Sequence, residues 1–134
     1  MKSRYTSVML AVVATLTLTL IGCSADSVYS DLNREPTAED TVPADLPDNA
    51  LDSYDAASVR FVGVVNEKQL FLGRGKEQPL CLLIYSGGSD WYSACGSEMM
   101  TTAAGDLEVM VVGDEVPDKE GWTKASTNIL VKDR

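Results

Sequence analysis

The chain has 134 residues, 45% of them hydrophobic, with 20 acidic residues against 11 basic ones and no histidine. That length suits one small domain, and a formal charge of −9 argues against the basic patches on which phosphate-backbone binding depends, so nucleic acid is not an expected partner. Without histidine there is no Ser–His–Asp or Cys–His arrangement and no imidazole metal site.

Lys2 and Arg4 precede an uncharged apolar run over residues 8–21. The run falls short of the about 20 residues that a permanent spanning helix needs. A basic start, a short apolar core and small residues at its end have the form of a secretory signal. A buried N-terminal helix or a true membrane anchor is the competing reading, but nothing polar interrupts the run before Gly22-Cys23-Ser24.

At that junction Leu20-Ile21-Gly22-Cys23 resembles the lipobox of bacterial lipoproteins. The resemblance implies that residues 1–22 are a signal peptide and that Cys23 carries a diacylglycerol. The protein is then expected to be lipid-anchored at the cell membrane, on its extracytoplasmic face. Two acyl chains, at about 0.8 kcal/mol per buried methylene, make a stable anchor where one is marginal. Losing Lys2 and Arg4 moves the formal charge from −9 to −11, so the acyl chains rather than the protein surface must hold it to an anionic membrane. The whole chain also resembles small uncharacterised lipoproteins of actinobacteria, in its acidic linker and in the patterns Cys81-Leu82-Leu83-Ile84-Tyr85 and Trp91-Tyr92-Ser93-Ala94-Cys95. That resemblance implies no activity.

Residues 23–57 read as an acidic, largely disordered tether. Nine carboxylates from Asp26 to Asp55 face one base, Arg34, and Pro36, Pro43 and Pro47 interrupt the segment. Such a composition buries too little apolar surface to offset ordering, and a flexible coil of this length spans on the order of 30 Å. Asp48, Asp52 and Asp55 fall at spacings of four and three on a short helical stretch. Calcium is the sharp reading of such a face. The alternating acids and glycine of an EF-hand loop are missing, however, which leaves a solvated acidic face.

Residues 58–134 read as a mainly β domain, a small antiparallel meander in the form of a sandwich or open barrel. About six strands are expected, over residues 59–65, 69–73, 80–85, 91–95, 107–112 and 128–132. Between residues 96 and 106 Ser97 is expected to cap a short helical turn. A folded part of this size has a marginal core, and a cross-strand disulfide between Cys81 and Cys95 is expected to help hold it. An exported pair of cysteines favours oxidation. With a turn at residues 86–90, Tyr85 faces Trp91, Leu83 faces Ser93 and Cys81 faces Cys95, at a separation a disulfide spans. A redox pair or a zinc site would need C-x-x-C spacing or further ligands.

The same register puts Leu80, Leu82, Ile84, Tyr92 and Ala94 on one face and Leu83, Tyr85, Trp91 and the disulfide on the other. Both faces are apolar, so the hairpin is expected to be covered on both sides. Tyr85 and Trp91 are a candidate contact surface, since such aromatics dominate interaction hot spots; a cross-strand packing pair is the plainer reading. Arg74 and Lys76, in Gly73-Arg74-Gly75-Lys76, are the only compact basic pair of the domain and weak anion-binding candidates, although a Walker loop needs a following helix. No catalytic residue, metal site or cofactor motif is found. The expected function is a membrane-tethered extracytoplasmic interaction module, docking an envelope protein or wall component and not an enzyme. The alternative is a small-ligand-binding or lysozyme-inhibitor-like lipoprotein, for which only architecture and acidity speak.

Overall fold

The computed structural model describes residues 28–134. The signal-peptide and Cys23 readings lie outside the described residues. Eight strands form two antiparallel sheets of four. The first holds β1 (Arg60–Val65), β2 (Lys68–Gly73), β3 (Leu80–Gly87) and β4 (Asp90–Gly96) as an uninterrupted meander. The second holds β5 (Thr101–Ala104), β6 (Leu107–Val111), β8 (Ile129–Asp133) and β7 (Thr123–Lys124), in that spatial order. The mainly β meander expected from the sequence is present, with two more strands than the six expected. No helix starts at Ser97, where the chain bends before entering β5.

One hydrophobic core lies between the sheets. Val62, Leu70, Leu72, Leu80, Leu82 and Ile84 of the first sheet meet Leu107, Val109, Val111, Ile129 and Val131 of the second. In β6 and the sheet-facing positions of β8 this follows from alternation, one face in and one out. In β3 every residue from Leu80 to Tyr85 is buried, as a strand covered on both faces requires.

What covers the second face of β3 corrects the tether reading. Residues 28–57 are packed onto the domain. Tyr29 and Leu32, on and beside the one-turn helix α1 (Ser30–Asn33), join the core between the sheets. Short 3-10 turns at Ala38–Asp40 and Asp48–Leu51 carry the chain across the outer face of the first sheet. There Leu46, Ala50 and Tyr54 pack on Val59, Phe71, Cys81, Leu83 and Tyr85 in a second core. Fully burying a leucine or aromatic side chain contributes about 1.5–3 kcal/mol, so a few such anchors outweigh the segment's acidic composition. Its prolines and carboxylates suit extended chain and turn caps: the Asp40 carboxylate accepts the Thr37 amide at 2.7 Å.

Polar contacts fix this strap at both ends. Asn128, fully buried, accepts the Asp31 amide through Oδ1 at 2.9 Å and donates its own amide to Asp31 Oδ2 at 2.9 Å. Its Nδ2 donates to the Val112 carbonyl at 2.9 Å and to Asp114 Oδ1 at 2.8 Å. Asp114 in turn accepts the Ser30 amide and hydroxyl. At the other end the Asp55 amide bonds the Arg74 carbonyl and the Lys76 amide bonds the Ser53 carbonyl, each at 2.9 Å. Gly75 is obligatory in this contact, because a Cβ there would stand 2.3 Å from the Gln78 carbonyl oxygen and 2.9 Å from Cys81 Sγ.

Candidate functional site

The β3–β4 hairpin has the register expected of it: Cys81 opposite Cys95, Leu83 opposite Ser93 and Tyr85 opposite Trp91. Cys81 and Cys95 form the disulfide, with Cα atoms 4.0 Å apart. In the chain-entropy model a closed loop of this length contributes about 3 kcal/mol. Its two faces sort as expected too. Leu80, Leu82 and Ile84 enter the core between the sheets, and Leu83, Tyr85 and the disulfide face the strap.

Tyr85 is not presented to solvent. It is only 5% exposed, and its phenol donates to the Asp45 carboxylate of the strap. The Gly88 amide donates to the same carboxylate at 3.1 Å and to the Tyr85 phenol oxygen at 2.8 Å, so the hairpin tip is pinned to the strap. The phenol's hydrogen bond lowers the Asp45 carboxyl below its ordinary range, and the carboxylate raises the Tyr85 phenol above its own. Trp91 is half-buried against the same core. The exposed aromatic among the described residues is Tyr92, on the other face of β4, at 41%.

Tyr92 stands where the sandwich is open. β4 is the last strand of the first sheet and β5 the first of the second. Between them, Lys68, Asp90, Trp91, Tyr92, Ala103 and Ala104 line a cleft of about 390 Å³, with Ile84, Ser86 and Gly105 completing its wall. The Thr102 hydroxyl donates to the Tyr92 phenol at 3.0 Å across this side. Lys68 is engaged by Asp106 at 2.9 Å, and its ammonium lowers that carboxyl below its ordinary range.

Arg74 and Lys76 are both exposed and have separate surroundings. The Arg74 guanidinium donates to Asn33 Oδ1 at 2.7 Å. Lys76 lines a separate recess beside Cys95 together with Asp52 and Glu77, whose carboxylates disfavour an anion. Asp48, Asp52 and Asp55 are exposed around 3-10 turns, and no group of three potential metal ligands occurs among the described residues. Among the same residues no helix is long and apolar enough to cross a membrane. Comparison with protein-family models, curated proteins and solved structures gives no match.

Sequence reasoning did not single out Tyr92 or Asp45. For Tyr92 a signal existed, since alternation along β4 separates it from Trp91 and Ser93. For Asp45 none did, because its partner lies 40 residues away and no local pattern links them.

Proposed function

We propose that the chain is a non-enzymatic binding module, lipid-anchored through Cys23 on the extracytoplasmic face of the cell membrane, which docks another envelope component at the open side of its sandwich. The observation that carries this reading is the cleft between β4 and β5, lined by Trp91 and the exposed Tyr92, because aromatics at a concave, half-wet surface are the usual anchors of recognition. The lipobox, the basic start and the oxidised cysteine pair support the location. Only five residues separate Cys23 from the buried Tyr29, a span of at most about 20 Å. The domain therefore rides close to the lipid headgroups rather than being lifted clear of them.

Two measurements test the reading. Cys23→Ala is expected to shift the protein from the membrane fraction and leave the signal peptide uncleaved; an unchanged membrane fraction with normal processing refutes the anchor. A photo-crosslinking amino acid at position 92, in intact cells, is expected to trap one dominant envelope component. The same group at position 64, exposed on β1, is expected to trap none. Equal adducts at both positions, or none at either, refute docking at this side.

A further inference from the structure

The two edges of the first sheet are treated differently. On the β1 edge, Phe61 turns its amide and carbonyl outward, and both are occupied: Asp40 Oδ1 accepts the amide at 2.8 Å and Arg34 Nη2 donates to the carbonyl at 3.0 Å. This ion pair stands where a neighbouring strand would stand.

The register carries that outward parity across the sheet. Phe61 pairs with Phe71, Phe71 with Leu83 and Leu83 with Ser93. In antiparallel sheets hydrogen-bonded and non-hydrogen-bonded pairings alternate across each strand. With Phe61 facing out, Phe61–Phe71 is non-bonded, Phe71–Leu83 bonded and Leu83–Ser93 non-bonded. Ser93 therefore presents its amide and carbonyl to the outside of β4, and so do Trp91 and Cys95 two residues either way. The Cys81–Cys95 separation of 4.0 Å agrees, being nearer the about 4.5 Å of a non-bonded pair than the about 5.5 Å of a bonded one.

Among the described residues, nothing hydrogen-bonds these outward backbone groups of β4. The strand also lacks two of the usual guards of an edge. Its seven residues, Asp-Trp-Tyr-Ser-Ala-Cys-Gly, include no proline and no lysine, the devices by which proteins discourage pairing. Such an edge is a template for strand addition, in which main-chain bonds give affinity and alternate side chains give specificity.

We infer that β4 takes up an extended, basic polypeptide segment as an added strand, its side chains alternating between apolar and Lys or Arg. This rests on the binding-module reading above and names the partner's chemistry. Apolar side chains of the incoming strand enter the cleft of about 390 Å³ beside Tyr92, Ala103 and Ala104. Those on the other face pass Trp91 and Ser93 towards Asp52 and Glu77, which lie with Cys95 around the second recess. Asp90 and Glu98 flank the strand's two ends; of the cations near these carboxylates, Lys68 is held by Asp106, Lys76 lines the second recess and Arg134 reaches the Gly105 carbonyl in the cleft wall, so the carboxylates stay in excess. A chain carrying 20 acidic residues against 11 basic ones disfavours a second copy of itself on this edge.

The test uses the full chain in detergent micelles with three eight-residue probes: alternating Lys-Val, alternating Glu-Val, and Lys-Val N-methylated at every backbone nitrogen, so that neither edge can donate. Residue-resolved amide hydrogen exchange is the readout. The Lys-Val peptide is expected to slow exchange at Trp91, Ser93 and Cys95 at least tenfold, with the other two peptides leaving it unchanged. Ser93→Pro, which removes an outward donor and no bond to β3, is expected to abolish the effect, whereas Ser93→Ala, which loses only the hydroxyl that meets Tyr54, is expected to keep it. No protection at these three amides overturns the inference. So does equal protection by the N-methylated peptide, which reports charge without strand pairing. Concentration-dependent protection without any peptide also overturns it, by placing a second copy on the edge. An adduct at position 92 in cells with no edge protection removes strand addition and keeps the binding module; edge protection without the adduct does the reverse.

Discussion

Arg34 and Asp40 form a two-point ion pair, Nη1 to Oδ2 at 2.8 Å and Nη2 to Oδ1 at 2.6 Å, which also takes up both the amide and the carbonyl of one residue, Phe61. The pair belongs to the strap yet finishes the sheet. Side-chain exposure is 34% for Arg34 and 7% for Asp40, so it lies between a surface bridge and a buried one.

Asp40→Asn is expected to cost about 2 kcal/mol in urea unfolding, below the 3–5 kcal/mol of a fully buried pair because Arg34 is partly solvated. The same carboxylate sets an acid limit. Hydrogen bonds from the Arg34 guanidinium hold the Asp40 carboxyl far below the usual carboxylate range. The Ser30 hydroxyl and amide lower Asp114 in the same direction. A carboxyl with a depressed folded pKa stabilises above its unfolded value of about 4 and loses that contribution as pH falls through the folded one. Stability is therefore expected to hold down to about pH 4 and decline below it, and Asp40→Asn should flatten the decline. An unaltered acid profile in the variant would remove Asp40 from the account.

Truncation separates the strap from a tether. A fragment of residues 58–134 is expected to be unfolded or aggregated, because Phe71, Leu83 and Tyr85 lose the cover given by Leu46, Ala50 and Tyr54. A fragment of residues 28–134 is expected to melt cooperatively. Dispersed, cooperative folding of the shorter one would show that the strap is dispensable.

Tyr54 sets an alkaline limit. Burial pushes its phenol up to about 12, against a hydrogen bond with Ser93 Oγ at 2.7 Å that favours ionisation. The sign follows from the folded state holding its proton more tightly. The stabilisation is complete below the ordinary tyrosine value of about 10 and disappears as pH rises from there through the folded pKa. At 1.36 kcal/mol per pH unit the loss is on the order of 3 kcal/mol. Denaturant midpoints measured from pH 8 to 12 are expected to fall above pH 10, and to fall less in Tyr54→Phe. Equal slopes for the two proteins would assign the alkaline transition elsewhere.

The β1–β2 turn carries a correctable cost. Asn66 has φ 49° and Glu67 φ 62°, the two positive values of a type I′ hairpin turn, in which glycine is favoured at the second position. Glu67→Gly is expected to stabilise the domain by about 1 kcal/mol, read as a rise in the thermal midpoint. A lower midpoint would mean that the Glu67 side chain contributes more than its backbone costs.

How far the sequence could be read depended on the range of the interactions. The register of β3 and β4 was legible because it is counted outward from a local turn, and the disulfide followed from that count. The strap was not. Tyr29, Leu32, Leu46, Ala50 and Tyr54 are all buried but have no common period, since extended chain and 3-10 turns impose none, and the acids between them dominate any local average. Thr101–Ala104 and Thr123–Lys124 contain strand-favouring threonines but are too short to show a period, and they pair because β6 and β8 offer them edges. The open side was half legible: alternation gave the face of Tyr92, while the opposing strand β5 was not anticipated.

The reciprocal bonds between Asp31 and Asn128 join residues 97 apart in the chain. That span has a kinetic meaning. Loop closure over such a distance is slow relative to local hairpins, and the strap cannot lock until β8 exists. A chain emerging N-terminus first thus carries Tyr29 and Leu32 exposed through nearly its whole emergence, with the β1–β4 meander able to form early but left open on one face. The last strand to appear completes the assembly, and until then the half-made sandwich is the state most exposed to proteolysis and to wrong pairing.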